Sequence, residues 1–130
     1  MLAEGLDLVY DIGTHKGASA IALSSAKKVK TYDIQNQIEC TLPENVEYSE
    51  SNYLTKSILK ADLIVIDIDH SGVHEKKILD YLVKHEYYGI VVLDDIYFNE
   101  AMTKLWNSIS HKKQDLTHIG HYTGTGLVFL

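Results

Sequence analysis

The sequence has little of what marks secreted, membrane-bound or disordered proteins. It contains one cysteine, Cys40, and one proline among 130 residues. A lone cysteine excludes a disulfide framework and a zinc site built from cysteines, and it is typical of a reducing compartment. Apolar runs such as Leu63 to Ile66 are far too short to cross a bilayer, and the opening MLAEGLDL lacks the basic and apolar regions of a signal peptide. We therefore expect a cytoplasmic protein with no membrane partner.

Positive charge is also scarce. Twelve lysine and arginine residues stand against eighteen acids, which gives a net charge of -6. Because binding to a nucleic-acid backbone needs clustered cations, no nucleic-acid partner is expected. The hydrophobic fraction of 45% and the absence of a low-complexity tract are typical of a globular chain. The length of 130 residues suits one domain, and we predict a single domain over 1–130.

Runs rich in Val and Ile alternate with stretches of helical period. The predicted strands cover 6–12, 29–34, 46–49, 63–69, 88–93, 115–120 and 126–130. The predicted helical stretches cover 18–26, 52–60, 73–83 and 98–109, with a loop over 35–45. The segment 63–69 is apolar on both faces, as in a strand covered on each side. The pattern predicts an α/β fold with a doubly wound, Rossmann-like, mostly parallel sheet and a C-terminal antiparallel hairpin, in a minimal version.

A turn containing two glycines follows the first predicted strand. The segment 11–17 reads DIGTHKG. Gly13 permits a tight turn and Gly17 permits close packing at the helix start, where free N–H groups can bind an anion. Asp11 is an acceptor for a cationic or hydroxyl group. In open sheets of this class the ligand binds outside the carboxyl ends of the strands, although strand-to-helix turns also favour glycine without any ligand.

The second predicted strand ends at Asp33, sixteen residues after Gly17. A carboxylate at this place can accept hydrogen bonds from both hydroxyls of a ribose. The alternative is a solvated acid at the end of a strand, which is common on protein surfaces.

Four acids end two predicted central strands: Asp67 and Asp69 end one, and Asp94 and Asp95 end the next. Neighbouring strands lie about 4.8 Å apart, so carboxylates from both can meet at one cation. Hard oxygen ligands suit Mg²⁺ or a similar ion. The alternative is that these acids cap the following helices or face water. His70 follows the first pair and is a candidate to accept a proton near neutral pH; His121, near the tail turn, ranks behind it.

With these motifs the chain resembles the class I S-adenosylmethionine-dependent methyltransferases. The pattern Asp11-x-Gly13-x-x-x-Gly17 matches their first motif, and Asp33 matches their ribose acid. The segments LIVIDIDHS over 63–71, GIVVLDD over 89–95 and YTGTGLVF over 122–129 resemble a metal-dependent branch. That branch contains O-methyltransferases similar to the macrolide-sugar, catechol and caffeoyl-CoA enzymes. A nicotinamide site matches less well, because His15 stands two residues after Gly13 where a glycine is expected.

The resemblance implies a set of site residues. It places the segment 13–17 near the methionine part of S-adenosylmethionine, Asp33 near the ribose, and Ser51 and Asn52 near the adenine. The cofactor-binding residues implied in this way are Asp11, Gly13, Thr14, Gly17, Asp33, Ser51, Asn52 and Asp67.

The resemblance also implies a metal site and a reaction. It implies that Asp67, Asp94 and Asp95 hold Mg²⁺ or a similar divalent cation, with Asp67 preferred over Asp69 by motif alignment. Such an ion binds the acceptor hydroxyl and lowers its pKa. His70 and Asp67 are the implied catalytic residues. The expected reaction is metal-assisted transfer of a methyl group to a hydroxyl of a small molecule or sugar.

The chain departs from the resemblance in length. It begins at the first strand, and the loop over 35–45 stands where the family has a helix. Both losses expose sheet or site surface, which predicts a homo-oligomer. They also leave open a trimmed, non-catalytic domain that binds the cofactor or a protein partner. A phospho-receiver domain is disfavoured, because its paired acids should follow the first strand.

Overall fold

The computed structural model describes residues 3–130. The strands are β1 (Leu8–Ile12), β2 (Lys28–Tyr32), β3 (Val46–Ser49), β4 (Leu63–Ile66), β5 (Ile90–Asp94), β6 (Lys113–Asp115) and β7 (Thr125–Phe129). They form one sheet in the order β3-β2-β1-β4-β5-β7-β6. The helices are α1 (Ala18–Ala22), α2 (Val73–Lys84) and α3 (Glu100–Ser108). This architecture confirms the predicted Rossmann-like α/β class.

The chain divides into two compact units, one ending at Val65 and one starting at Ile66. In the first unit, β1 pairs with β2 and β2 with β3, both in parallel. Val9, Val29 and Val46 align across these strands and are buried. Branched apolar side chains favour such a pleated, covered surface. The prediction of one domain over 1–130 stays a prediction.

In the second unit, β7 pairs antiparallel with both β5 and β6, which confirms the predicted C-terminal hairpin. Helix α2 buries Ile78, Leu79 and Leu82 on one face, as its apolar spacing predicts. Trp106 of α3 packs over Gly126 so closely that a Cβ there would lie 2.6 Å from the indole ring. Within residues 3–130, no helix combines the length and apolar character needed to span a bilayer.

Three predicted helical stretches were too long. Helix α1 ends at Ala22 rather than 26, and the Ser24 hydroxyl donates to the Ile21 carbonyl just beyond that end. A side chain that bonds the nearby backbone offers an alternative to further helix. The turn predicted over 52–60 is helical only at Ile58–Lys60. Helix α3 begins after Asn99, whose side chain accepts from the Met102 amide.

Some predicted positions within elements were also wrong. Phe98 opens the predicted helical stretch 98–109, but it precedes the cap of α3 and is 55% exposed. Val73 and Val83, the apolar residues at the two ends of the predicted helical stretch 73–83, are exposed. Strand β6 lies at Lys113–Asp115 instead of 115–120, because the Asp115 carboxylate accepts from the Thr117 amide and hydroxyl in a turn.

One buried acid yields a stability prediction. Glu75 lies on the core face of α2, is 1% exposed, and both its carboxylate oxygens lack a hydrogen-bond partner among residues 3–130. Because burial of an unpaired polar group is costly, Glu75→Met should raise the free energy of unfolding by about 1–3 kcal/mol. Urea unfolding measures this change. Glu75→Gln keeps a polar group in place and should gain less; a destabilised Glu75→Met protein would contradict the prediction.

Candidate cofactor loop and acid–histidine cluster

The glycine loop, residues 13–17, follows β1 in the first unit. Gly13 and Gly17 have positive φ values of 110° and 95°, which side-chain-bearing residues rarely adopt. The amides of Gly13 and Thr14 donate to the Tyr32 carbonyl at 2.8 and 3.1 Å, and the Gly17 amide donates to the Thr14 carbonyl at 2.8 Å. These three amides therefore hold the loop together; the free N–H groups expected at the helix start, which is Ala18, stay a prediction.

Two of the predicted cofactor residues support the loop from inside. Asp11 is fully buried, and its Oδ2 accepts from the hydroxyls of Ser19 at 2.9 Å and Thr31 at 2.7 Å. Thr14 is also buried, with its hydroxyl 2.5 Å from that of Thr31. In this structure the acceptor role predicted for Asp11 is directed to the protein's own hydroxyls. Sequence analysis did not identify Thr31, because it is an ordinary inward-facing residue of β2.

The structure brings Asp33 to the glycine loop. Asp33 follows β2 directly, and its Oδ2 accepts from the His15 amide at 2.7 Å. Its Oδ1 accepts from the amide of the next residue, Ile34, at 2.7 Å. The side chain of Ile34 is 92% exposed. Asp33 thus both orders the loop and retains carboxylate lone pairs for another donor.

Residues 35–45, named here the covering loop, pack against the glycine loop. A Cβ on Gly17 would lie 2.8 Å from Cys40 Sγ. Lys16 contributes two contacts, a carbonyl that accepts from Cys40 Sγ at 3.4 Å and an ammonium 3.1 Å from Glu39 Oε1. Gly17 is therefore required by both its backbone conformation and this close approach.

Ser51 and Asn52 follow β3 and are exposed. The Ser51 hydroxyl lies 2.6 Å from that of Ser49, whose carbonyl accepts from the Asp33 amide at 3.3 Å. Asn52 Oδ1 accepts from the Leu54 amide at 2.9 Å. Ser51 is thus linked through Ser49 to Asp33, while the adenine contact of Ser51 and Asn52 stays a prediction.

The second unit contains what we call the acid–histidine cluster: Asp67, His70, Asp94, Asp95 and His121. His70 Nε2 lies 3.0 Å from Asp95 Oδ2 and 3.8 Å from Asp67 Oδ1. One ligand atom from each of Asp67, His70 and Asp95 lies within 4.8 Å of the others. The structure therefore brings together three of the residues predicted from the sequence.

His121 joins the cluster from the other side. Its Nε2 lies 2.8 Å from Asp94 Oδ1, and its Nδ1 lies 3.6 Å from Asp95 Oδ1. Its Nδ1 also lies 2.5 Å from the Thr123 hydroxyl, and Thr125 donates to Asp94 Oδ1 at 3.1 Å. Sequence analysis ranked His121 behind His70. The predicted C-terminal hairpin could have identified His121, because it returns the C-terminal segment of the chain to β5.

Asp69 lies outside the cluster. Its carboxylate accepts from the Ser71 hydroxyl at 2.9 Å and lies 2.6 Å from His74 Nδ1. This pairing is consistent with the choice of Asp67 over Asp69 as a ligand. Asp69 thus pairs with side chains near the start of α2, where the cap residue Gly72 has no side-chain cap hydrogen bond.

The cluster concentrates negative charge. Burial, followed by repulsion from Asp94, raises the pKa of Asp67 to about 6. The hydrogen bond to Asp94 raises the pKa of His121, and the charges of Asp94, Asp95 and Asp67 act in the same direction. On Asp67 itself, the charges of His70 and His121 act in the opposite direction and lower its pKa.

Backbone strain accompanies the cluster. His70 and Asp95 both have positive φ, 54° and 57°. The Asn99 side chain donates to the His70 carbonyl at 2.8 Å, and the Phe98 ring lies 5.0 Å from the His70 ring. Strained residues held by such contacts are concentrated at functional sites.

No family model matches the chain, and no curated protein matches its sequence. Solved structures do match its fold. The SAH-bound methyltransferase PaMTH1 of Podospora anserina is 13% identical, with 96% of this chain and 72% of that chain covered and a TM-score of 0.65. Cofactor-bound Rv0187 from MTB is 16% identical, with 95% and 72% covered and a TM-score of 0.69. An O-methyltransferase from Bacillus cereus in complex with SAH is 14% identical, with 95% and 74% covered and a TM-score of 0.59. The chain therefore has the Rossmann-like methyltransferase fold.

Proposed function

We propose that the chain is an S-adenosylmethionine-dependent methyltransferase that acts on a hydroxyl of a small molecule or sugar. The observation that carries the proposal is the hydrogen bond from the His15 amide to Asp33 Oδ2 at 2.7 Å. It joins the predicted ribose acid to the glycine loop in a chain with the methyltransferase fold. Fold alone does not determine function, so the argument depends on this local geometry.

Asp33 is suited to bind ribose hydroxyls. Each of its oxygens accepts one backbone N–H, and an ionised carboxylate has about four acceptor positions. Two hydroxyl donors can therefore be added without breaking the existing bonds. Beside it, the exposed side chain of Ile34 offers an apolar surface for a flat base.

The acid–histidine cluster is suited to receive the proton of the acceptor hydroxyl. His70 Nε2 lies near two carboxylates, 3.0 Å from Asp95 Oδ2 and 3.8 Å from Asp67 Oδ1. We propose His70 and Asp67 as the catalytic pair. Most of the rate gain in methyl transfer comes from in-line positioning of the nucleophile, and proton removal adds to it.

The carboxylates of the cluster fit a divalent cation. Asp67, Asp94 and Asp95 would hold it through oxygen, since Asp95 belongs to both sets of closely spaced ligand atoms, one with Asp67 and one with Asp94. Repulsion between the carboxylates falls when a cation binds. Such an ion binds a hydroxyl oxygen and lowers its pKa.

Isothermal titration calorimetry with S-adenosylhomocysteine tests the cofactor site. We expect saturable binding, and no heat at millimolar ligand would contradict the proposal. Methyl transfer to a panel of hydroxyl compounds is then followed by formation of S-adenosylhomocysteine. Binding without transfer across the panel would support the alternative of a trimmed, non-catalytic domain. The homo-oligomer and the cytoplasmic location stay predictions.

A further inference from the structure

We infer that Asn99 is a positioning residue for His70: its side-chain amide holds the His70 backbone in the conformation that directs the imidazole to Asp95. The inference rests on the proposed function, in which His70 belongs to the catalytic pair. It extends that proposal to a residue outside the acid–histidine cluster, for which the sequence predicted no role in the site.

Asn99 joins two turns through one side chain. Its Nδ2 donates to the His70 carbonyl at 2.8 Å, and its Oδ1 accepts from the Met102 amide at 2.9 Å. These partners determine the orientation of the amide group, because a backbone N–H can only donate and a carbonyl can only accept. Met102 is 0% exposed and fixes the first turn of α3 to the core. Asn99 therefore connects His70 to an anchored helix.

The turn between β4 and α2 also contacts α3 directly. Gly72, the cap residue of α2, lies so close to Ala101 that a Cβ there would be 3.1 Å from the Ala101 carbonyl oxygen. The hydrogen bond from Asn99 to His70 lies next to this contact and is partly buried. Competition from water is weaker at such a place, so the bond can hold the turn.

His70 depends on an outside contact to keep its conformation. Its φ of 54° lies in the left-handed region, which residues with a side chain seldom adopt unless neighbouring groups hold them there. In the imidazole, Nε2 faces Asp95 Oδ2 at 3.0 Å, and Nδ1 has no hydrogen-bond partner within residues 3–130. Without the bond from Asn99, the His70 carbonyl is free to turn, and a relaxed backbone carries the imidazole away from Asp95.

The choice of asparagine distinguishes the two contacts. Aspartate caps a helix about as well as asparagine, because both offer an oxygen to the amides of the first turn. Only the amide group also donates, and the His70 carbonyl accepts that donor. A requirement for α3 alone is therefore met by either residue, whereas a requirement for His70 is met by asparagine.

Asn99→Asp and Asn99→Ser test the inference. Both keep an oxygen for the Met102 amide, but the carboxylate has no N–H and the serine side chain is too short to reach both partners. We expect kcat for methyl transfer to fall by about 10–100-fold, with KM for S-adenosylmethionine changed by less than about threefold. Far-UV circular dichroism should stay unchanged. The matched control is Asn107→Asp, the same substitution at an exposed position of α3, which should alter none of these values.

Nuclear magnetic resonance provides a readout that does not depend on turnover. The rings of His70 and Phe98 lie 5.0 Å apart, so nuclear Overhauser contacts between them should be present in the metal-free wild type. They should be lost in both Asn99 variants and kept in Asn107→Asp, because only the Asn99 variants release the His70 backbone.

Three results would overturn the inference: wild-type kcat in Asn99→Ser, ring contacts that are absent from the wild type or persist in both Asn99 variants, or losses confined to Asn99→Asp, which would make the added charge the cause. Binding of S-adenosylhomocysteine and methyl transfer by the wild type are measured separately. If the wild type transfers methyl groups and the variants match it, the inference fails and the proposed function stands. If the wild type neither binds nor transfers, the proposed function fails, while the ring contacts still decide whether Asn99 positions His70.

Discussion

Asp33→Ala should weaken S-adenosylhomocysteine binding by at least about a hundredfold. The substitution removes the acceptor proposed for the ribose hydroxyls and also the bond that holds the His15 amide at 2.7 Å. Hydrogen bonds to a charged group are worth about 1.5–3 kcal/mol each, so the loss of two corresponds to a factor of this size or more. Calorimetric titration of both proteins measures the effect.

Asp33→Asn separates the two roles of this side chain. The amide oxygen can still accept from the His15 amide, while the negative charge is lost, so affinity should fall by only about tenfold. Asp7→Ala serves as the matched control, because Asp7 is an exposed acid of the same unit that pairs with Lys27. Wild-type affinity in Asp33→Ala, with an unchanged melting temperature, would rule out Asp33 as the ribose acid.

Asp67→Asn should lower the rate of methyl transfer by at least about a hundredfold. The same substitution should stabilise the metal-free fold at neutral pH. Burial and the nearby Asp94 raise the pKa of Asp67 to about 6 in the folded protein, from an ordinary value of 3.8. The folded state therefore disfavours the ionised form. The contribution of protonated Asp67 to the stability of the fold is fully present below about pH 3.8. It is lost as the pH rises through about 6.

Partial exposure of Asp67 to solvent limits how much its ionisation destabilises the fold. The Asp67 side chain is 36% exposed, so the cost of ionisation is reduced by solvent to about 1–2 kcal/mol. Urea unfolding in the presence of chelator should show this gain for Asp67→Asn at pH 7.5 and almost none at pH 4. Asp69→Asn, which removes the partner of His74 outside the cluster, should show no such gain. If the difference in the free energy of unfolding between wild type and Asp67→Asn does not change with pH, the destabilisation does not come from ionisation of this carboxylate.

The parts of the fold that could be predicted are those with a local physical signal. The segment around β4 is apolar on both faces, and the two glycines at 13 and 17 mark a backbone that other residues rarely adopt. Asp33 was predicted beside the loop because the ends of parallel strands lie at one edge. β1 and β2 do pair in parallel, with Ile12 opposite Tyr32.

The parts that were missed depend on contacts between distant segments. His121 reaches Asp94 because Asp94 pairs with Thr125 across β5 and β7, a register that no local pattern specifies. The Tyr32 carbonyl that accepts from the amides of Gly13 and Thr14 lies on another strand, so no local pattern predicts these two hydrogen bonds. Phe98 was included in the predicted helical stretch 98–109, but α3 begins after the Asn99 cap.

The central place of Asp95 has a consequence for how mutational data on this protein should be interpreted. One of its oxygens lies 3.0 Å from His70 and the other 3.6 Å from His121, so a single carboxylate connects the two imidazoles. Energies of substitutions at groups that share a partner are not additive. A double-mutant cycle of His70→Ala and His121→Ala, measured as free energies of unfolding, should therefore give a non-zero coupling energy. The same cycle repeated in the Asp95→Ala variant should give a coupling energy of zero.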